Sequence, residues 1–263
     1  MKIDLYQVDA FASRIFEGNP AAVCPLHRWL SDENMQRIAM ENNLSETAFF
    51  VEENGHYGLR WFTPEAEVDL CGHATLASAY VLFKYLAHDR ESIRFNTKSG
   101  ELTVKKEGDY LVMDFPANPA KEVSPPEGIE QALGAQPLES YKSMDYLFLV
   151  ESEEHVRKLQ PEFLRLKELD SRGIIVTAAS EAKDVDFVSR FFAPAVGINE
   201  DPVTGSAHTT LAPFWAEKLK KRELSARQIS KRGGSVHCTL NGDRVELAGK
   251  TQTYLTGTIT IVE

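Results

Sequence analysis

Residues 60–86 read RWFTPEAEVDLCGHATLASAYVLFKYL, which is a short apolar run, a proline, an acidic loop and then a helix that opens at Gly72. The segment from Gly72 to Leu86 is apolar on nearly all sides, and helices of that kind are buried. Much of the remaining chain alternates β-branched or aromatic runs with turn residues, a pattern typical of strands. We therefore expect a helix enclosed by sheet. Two further helices are predicted, one capped by Ser31 and one over Pro161 to Leu169.

The same order of features recurs about half a chain later. Residues 190–219 read RFFAPAVGINEDPVTGSAHTTLAPFWAEKL, so that Gly205 takes the place of Gly72. A repeat of this length indicates internal duplication. The predicted fold is α+β, with two similar lobes that each wrap a rolled, mainly antiparallel, barrel-like sheet around a central buried helix. We expect the N-terminal lobe at 1–116, completed by the last strand at about 252–263, the C-terminal lobe at 117–251, and a cleft between them.

Composition excludes several classes of partner. Lys and Arg number 29 against 39 Asp and Glu, a net charge of −10 that repels nucleic acid. Three cysteines without paired spacing indicate reduced thiols and a cytoplasmic protein. The longest mostly apolar stretch, Ala74 to Phe83, is too short to span a bilayer. We expect neither nucleic acid nor membrane as a partner.

Gly72 and Gly205 each place free backbone N–H groups at a helix start. The helix dipole favours anions there, and the missing side chain would let a ligand approach. Two such helix starts facing one cleft would bind a carboxylate. The alternative is that each glycine only lets its helix begin close to a strand.

Several ordered motifs carry a resemblance to a known family. They are Asp9-Ala-Phe11, Phe16-Glu-Gly-Asn-Pro-Ala-Ala-Val23, Asn43-Leu-Ser-Glu-Thr-Ala48, Asp69-Leu-Cys-Gly-His-Ala-Thr75, Asn199-Glu-Asp-Pro-Val-Thr-Gly-Ser-Ala-His208 and Arg232-Gly-Gly234. With them the chain resembles the phenazine-biosynthesis PhzF-like isomerases, which share the diaminopimelate epimerase fold. The resemblance implies a two-lobed homodimer that works without metal or organic cofactor.

The resemblance also implies the site. Glu46 corresponds to the general acid/base, and His73 and Asp201 to residues that hold the substrate and tune its protonation. Four further positions resemble ligand contacts: Asn19, Gly72, Gly205 and Ser206. The apolar run after Glu46 supports a carboxyl against apolar surface, suited to proton transfer.

Simpler structural roles stay open for these residues. Glu46 would then be a solvated residue that ends the helix capped by Ser31, Asp201 a turn residue, and His73 a helix cap.

The predicted function is a cofactor-independent isomerase that moves a proton on a small carboxylate-bearing metabolite. One alternative is a two-base amino-acid epimerase, and another is a non-catalytic binding protein on the same scaffold. Epimerases of this fold carry a Cys-Gly step at both helix starts, whereas here Cys71-Gly72 is matched by Thr204-Gly205. We therefore interpret Cys71 as a small buried residue that packs at its helix start.

The sequence also contains residues of the types that bind zinc. The ligands would come from Asp69, Cys71, His73, His208, His237 and Cys238, but the Cys-x-His and His-Cys spacings do not match the usual ligand pairs. We expect no metal.

Overall fold

The computed structural model describes residues 1–53, 55–86 and 90–261. The chain forms two compact units, one of Met1–Asp114 with Ala248–Glu263 and the other of Phe115–Leu247. Residues 262 and 263, the end of the last predicted strand, lie outside the described part. No helix of the described residues is long and apolar enough to cross a membrane.

The elements of the first 116 residues are β1 (Lys2–Ala10), β2 (Asn19–Leu26), α1 (Asp32–Asn42), β3 (Glu46–Glu53), β4 (His56–Phe62), β5 (Glu67–Val68), α2 (Gly72–Tyr85), β6 (Ser92–Thr97), β7 (Gly100–Glu107) and β8 (Tyr110–Pro116). The rest of the chain forms β9 (Lys121–Glu122), α3 (Ile129–Leu133), β10 (Glu139–Lys142), β11 (Tyr146–Leu149), α4 (Glu153–Lys158), α5 (Phe163–Lys167), β12 (Ile174–Ala179), β13 (Phe187–Ala193), a short 3₁₀ turn at Pro194–Val196, β14 (Ile198–Asp201), α6 (Gly205–Leu219), β15 (Glu223–Gln228), β16 (Gly234–Asn241), β17 (Arg244–Gly249) and β18 (Thr251–Thr260).

The first unit encloses α2 with strands. β1 pairs antiparallel with β2 and β18, β3 with β4, and β7 with β6 and β8, while β2 runs parallel to β3. Helix α2 packs on β1, β2, β3, β7 and β18. It buries every residue from His73 to Ala79, as expected for a helix that is apolar on all sides.

The second unit repeats this design around α6. Antiparallel pairs join β10 to β11, β12 to β13 and β15 to β16, and the parallel pairs are β11–β12 and β13–β15. Helix α6 packs on β15 and β16. Its Trp215 is buried, stacks on Phe187 at 5.5 Å and donates through Nε1 to Thr177 Oγ1. The predicted α+β fold is confirmed.

An arginine–glutamate pair fixes the loop before α2. Arg60 donates from Nε and Nη2 to the two carboxylate oxygens of Glu67, at 2.7 and 2.8 Å. The guanidinium also lies 5.2 Å from the ring centre of Phe62. Glu67 precedes the first residue of α2, Gly72, by five positions. The pair therefore ties the end of a strand to the chain that opens the buried helix.

The second unit carries the same pair. Arg190 donates from Nε and Nη2 to the two oxygens of Glu200, at 2.6 and 2.9 Å, and lies 4.9 Å from the ring centre of Phe192. Glu200 also precedes its helix glycine, Gly205, by five positions. The internal duplication thus extends to side-chain contacts.

Of the two smaller predicted helices, one is present as predicted and the other is shorter than predicted. Ser31 caps α1 by accepting the Asn34 N–H, as predicted. The helix predicted over Pro161 to Leu169 is confined to α5. Tight i to i+3 hydrogen bonds at Glu168 and Leu169 end it early.

Candidate active site

Glu46 opens β3 beside the start of α2. It is 9% exposed and lies opposite Ala21 of the parallel strand β2. Helix α1 ends at Asn42, so Glu46 is not a solvated helix end, and that alternative is wrong. Strand geometry and burial place its carboxylate in the interior of the first unit.

Glu46, His73 and Cys71 form a row with the imidazole in the middle. Nε2 of His73 lies 3.0 Å from Oε2 of Glu46, and Nδ1 lies 3.5 Å from Sγ of Cys71. All three side chains are buried. The ring N–H does not point along the line to the carboxylate, so neither Nε2 nor Oε2 has a hydrogen-bond partner of good geometry among the described residues. His73 is therefore more than a helix cap.

Burial and charge act against each other in this row. Burial alone would lower the pKa of His73, but the neighbouring Cys71 and Glu46 outweigh it and raise this pKa well above the usual range. Burial, together with the Glu46 charge, raises the pKa of the Cys71 thiol to about 11. At neutral pH Cys71 is then a thiol.

The same three residues are also a group that could hold a metal ion, since their ligand atoms lie within 4.8 Å of one another. The thiol and the carboxylate, however, face different ring nitrogens of His73. A single ion binds only one nitrogen of an imidazole, so the row suits proton transfer better than coordination.

The other two histidines considered as zinc ligands, His208 and His237, belong to the second unit. His208 is fully buried, and its Nδ1 lies 2.8 Å from the Thr204 carbonyl. Burial lowers its pKa to about 4, so it stays neutral. Nδ1 of His237 lies 3.3 Å from Ser225 Oγ. These are structural contacts within the second unit.

Asn19 supports the segment that carries Glu46. It is fully buried at the start of β2, and its Oδ1 accepts a hydrogen bond from Oγ of Ser45 at 3.2 Å. Ser45 directly precedes Glu46. The predicted ligand contact of Asn19 stays a prediction, but its contact with the Glu46 segment is a feature of the fold.

Asp201 lies at the end of β14 in a hydrogen-bonded group at the start of α6. Thr204 donates its hydroxyl to Oδ2 of Asp201. Gln228, fully buried on β15, donates to the Asp201 carbonyl at 2.7 Å and to Thr204 Oγ1 at 3.3 Å, and accepts the Thr204 N–H at 2.9 Å. Contacts from Thr204 and from Gln228 on β15 thus hold Asp201, in addition to its own turn.

Ser206, the second residue of α6, is held by an ion pair whose carboxylate is buried and whose guanidinium is partly exposed. Arg172 donates from Nε and Nη2 to the two oxygens of Asp145, which is 1% exposed. The same Nη2 donates to Oγ of Ser206 at 3.0 Å. Because the Ser206 oxygen accepts from a cation, its own proton is free to point towards another group.

Gly205 does not need to be glycine for packing. A Cβ built at this position would meet only a methyl of Leu247, at 3.9 Å, which is ordinary van der Waals contact. The alternative that this glycine is required by a close strand is therefore wrong for Gly205. An alanine side chain would therefore fit at the first residue of α6.

A carboxylate and an imidazole thus lie buried together at the start of a helix enclosed by sheet, in a chain of two similar units. The family model for PhzC-PhzF, described as phenazine biosynthesis-like protein, matches residues 8–263. The chain belongs to this family, and it is an isomerase of the PhzF-like type.

Individual relatives agree with that assignment. An uncharacterized isomerase of Pseudomonas aeruginosa is 54% identical over 259 residues, covering 98% of this chain and 99% of that protein. A PhzF family protein from Enterococcus faecalis matches with a TM-score of 0.97 and 47% identity, over 99% of this chain and 100% of the other. A hydroxyproline epimerase from Agrobacterium vitis matches with a TM-score of 0.62 at 10% identity, over 98% and 92%, and shares the fold.

Three contacts were not predicted from the sequence. Gln228 reaches Thr204 from 24 residues away, Arg172 reaches Ser206 across 34 residues, and Cys71 contacts His73 in addition to packing at its helix start. Only the Cys-x-His spacing could have suggested the last of these.

Proposed function

We propose that this isomerase moves a proton on a small, carboxylate-bearing metabolite without a cofactor, and that Glu46 takes and returns that proton. The observation that carries the proposal is the buried Oε2 of Glu46, which has no well-aligned hydrogen-bond partner among the described residues and lies 3.0 Å from a histidine nitrogen. A carboxylate left in this state is available to a substrate proton.

His73 places a positive charge beside the Glu46 carboxyl. The neighbouring Cys71 and Glu46 raise the pKa of His73 well above its usual range, so the imidazole is protonated at neutral pH. When Glu46 has taken the substrate proton, the neighbouring imidazolium can stabilise negative charge that develops on the substrate. Both steps use groups of the first unit.

The predicted roles of Asp201, Gly72, Gly205 and Ser206 concern the substrate itself. The support for them is the free Ser206 proton and the room beside Gly205 at the start of α6, which together suit a carboxylate. A homodimer and a cytoplasmic location remain expectations from the resemblance and from the cysteine content.

The two-thiol epimerase alternative has less support. Cys71 has a pKa of about 11 and stays a thiol at neutral pH, whereas thiol-based epimerisation needs a reactive thiolate. The matching residue, Thr204, donates to Asp201, but a carboxylate is far too weak a base to remove a threonine proton. Neither helix start then supplies a sulfur base.

A ligand screen tests the proposal. Small cyclic or unsaturated carboxylic acids are scored for protection of the protein against thermal unfolding, and each hit is then incubated with protein in D₂O. We expect at least one hit to incorporate deuterium at carbon in a protein-dependent manner. Ligands that protect but never exchange would instead favour the non-catalytic binding protein.

A further inference from the structure

The two N-cap residues of the buried helices share an unusual feature. Cys71 caps α2 and Thr204 caps α6, and neither side chain makes the cap hydrogen bond to a helix N–H group. Threonine at this position normally makes that bond. Both side chains instead contact a polar group of their own unit, Cys71 the imidazole of His73 and Thr204 the carboxylate of Asp201.

The contact of Cys71 bears on the direction in which His73 faces. A histidine ring held at Nδ1 can rotate little, and the group at Nδ1 decides what Nε2 presents. With Sγ at 3.5 Å from Nδ1, the opposite nitrogen lies 3.0 Å from the Glu46 carboxylate. A ring turned over by 180° would put carbon atoms where the two nitrogens lie, and it would lose both contacts.

We propose that Cys71 is a positioning residue, whose sulfur holds Nδ1 of His73 so that Nε2 faces the carboxylate of Glu46. The inference rests on the proposed function for its catalytic meaning. Cys71 itself exchanges no proton with the substrate.

The protonation states fit this arrangement. Among the described residues, Glu46 on β3 and Cys71 at the α2 cap are the titratable groups that act on His73. With the imidazole protonated and the thiol neutral, Nδ1–H donates to Sγ and stabilises the imidazolium. When the ring loses its proton, the thiol can donate to Nδ1 and keep the remaining proton on Nε2.

The test measures the titration of His73 in the protein without ligand. Histidine is labelled with ¹⁵N, and the His73 signals among the 7 histidines are identified with a His73→Asn variant. The wild type is compared with Cys71→Ala, Cys71→Ser and the control Cys24→Ala, which removes another buried thiol of the same unit. This readout needs no substrate, so a failed ligand screen would leave it intact.

We expect Cys71→Ala to lower the His73 midpoint by roughly half a unit to one unit, the effect of one lost hydrogen bond. Cys71→Ser should restore at least half of that shift, and Cys24→Ala should cause none. An unchanged midpoint in Cys71→Ala, an equal shift in Cys24→Ala, or a Cys71→Ser midpoint equal to that of Cys71→Ala would each overturn the proposal. If Cys71→Ala does not fold, the His73 midpoint of Cys71→Ser tests the proposal alone. That midpoint should lie within a few tenths of a pH unit of the wild-type midpoint, and a larger shift would overturn the proposal.

The same substitution should have a small effect on rate. Once a substrate is known, Cys71→Ala should keep turnover within roughly tenfold of wild type, with the alkaline limb of its pH profile moved to lower pH. Complete loss of turnover would give Cys71 a catalytic role instead.

Discussion

Neutralising Glu67 tests whether the arginine–glutamate pair holds the start of α2. Both side chains are mostly buried, with 16% of Glu67 and 21% of Arg60 exposed. The hydrogen bonds from Arg60 are the largest cause that lowers the pKa of Glu67 from 4.5 to about 2, and Lys98 adds to them. A difference of this size corresponds to about 3 kcal/mol of stability at neutral pH. Glu67→Gln retains part of the hydrogen bonding, so we expect a loss of about 1–3 kcal/mol.

The pH dependence has a defined direction. Because folding lowers the pKa of Glu67, its contribution is complete above the unfolded value of 4.5 and is lost as the pH falls through about 2. The difference between wild type and Glu67→Gln should therefore be largest at neutral pH and should shrink below about pH 5.

Urea unfolding followed by fluorine NMR of labelled tryptophan separates the two units. Trp29 and Trp61 belong to the first unit and Trp215 to the second. Glu67→Gln should lower the unfolding midpoint that Trp29 and Trp61 report. The control is Glu101→Gln, whose partner Arg94 is 3.9 Å away with both side chains about half exposed. It should cost less than about 0.5 kcal/mol. Equal losses in the two variants, or a Glu67→Gln loss independent of pH, would refute the reasoning.

Two further predictions concern the ligand and the metal. Gly205→Ala should fold at least as stably as wild type, since its Cβ has room and alanine favours helix. Its affinity for the screened carboxylate, measured from protection against thermal unfolding, should fall at least about tenfold. An unchanged affinity would show that Gly205 is not a ligand contact. Dialysis against 1,10-phenanthroline or EDTA should leave melting temperature and ligand binding unchanged, because the thiol and carboxylate beside His73 face different ring nitrogens. Stoichiometric zinc that is lost together with stability would contradict this.

The sequence predicted the duplicated architecture because its signals are local. All-round apolarity of α2 and α6 indicates burial, and the repeated order of strand, proline, acidic loop and glycine needs no knowledge of the fold. Helix lengths were less predictable, since the end of α5 depends on tight turns at Glu168 and Leu169. Propensity alone does not determine such ends.

The candidate site was only partly accessible from sequence. Glu46 and His73 were proposed through the resemblance, but their contact depends on β3 packing beside α2, and no spacing rule brings residues 46 and 73 together. The same applies to Gln228 and Arg172, which reach α6 from other elements. Contacts of this kind follow from tertiary packing.

Hydrogen–deuterium exchange by Glu46→Gln shows whether Glu46 moves the substrate proton. The assay uses a carboxylic acid that the wild type exchanges in D₂O, and it compares Glu46→Gln with Glu52→Gln, an exposed glutamate on the same strand, and with Cys71→Ala. We expect Glu46→Gln to abolish exchange while ligand affinity and melting temperature change little, and Glu52→Gln to exchange like wild type. Near-normal exchange by Glu46→Gln, with all activity lost in Cys71→Ala, would contradict this role of Glu46 and establish a thiol mechanism.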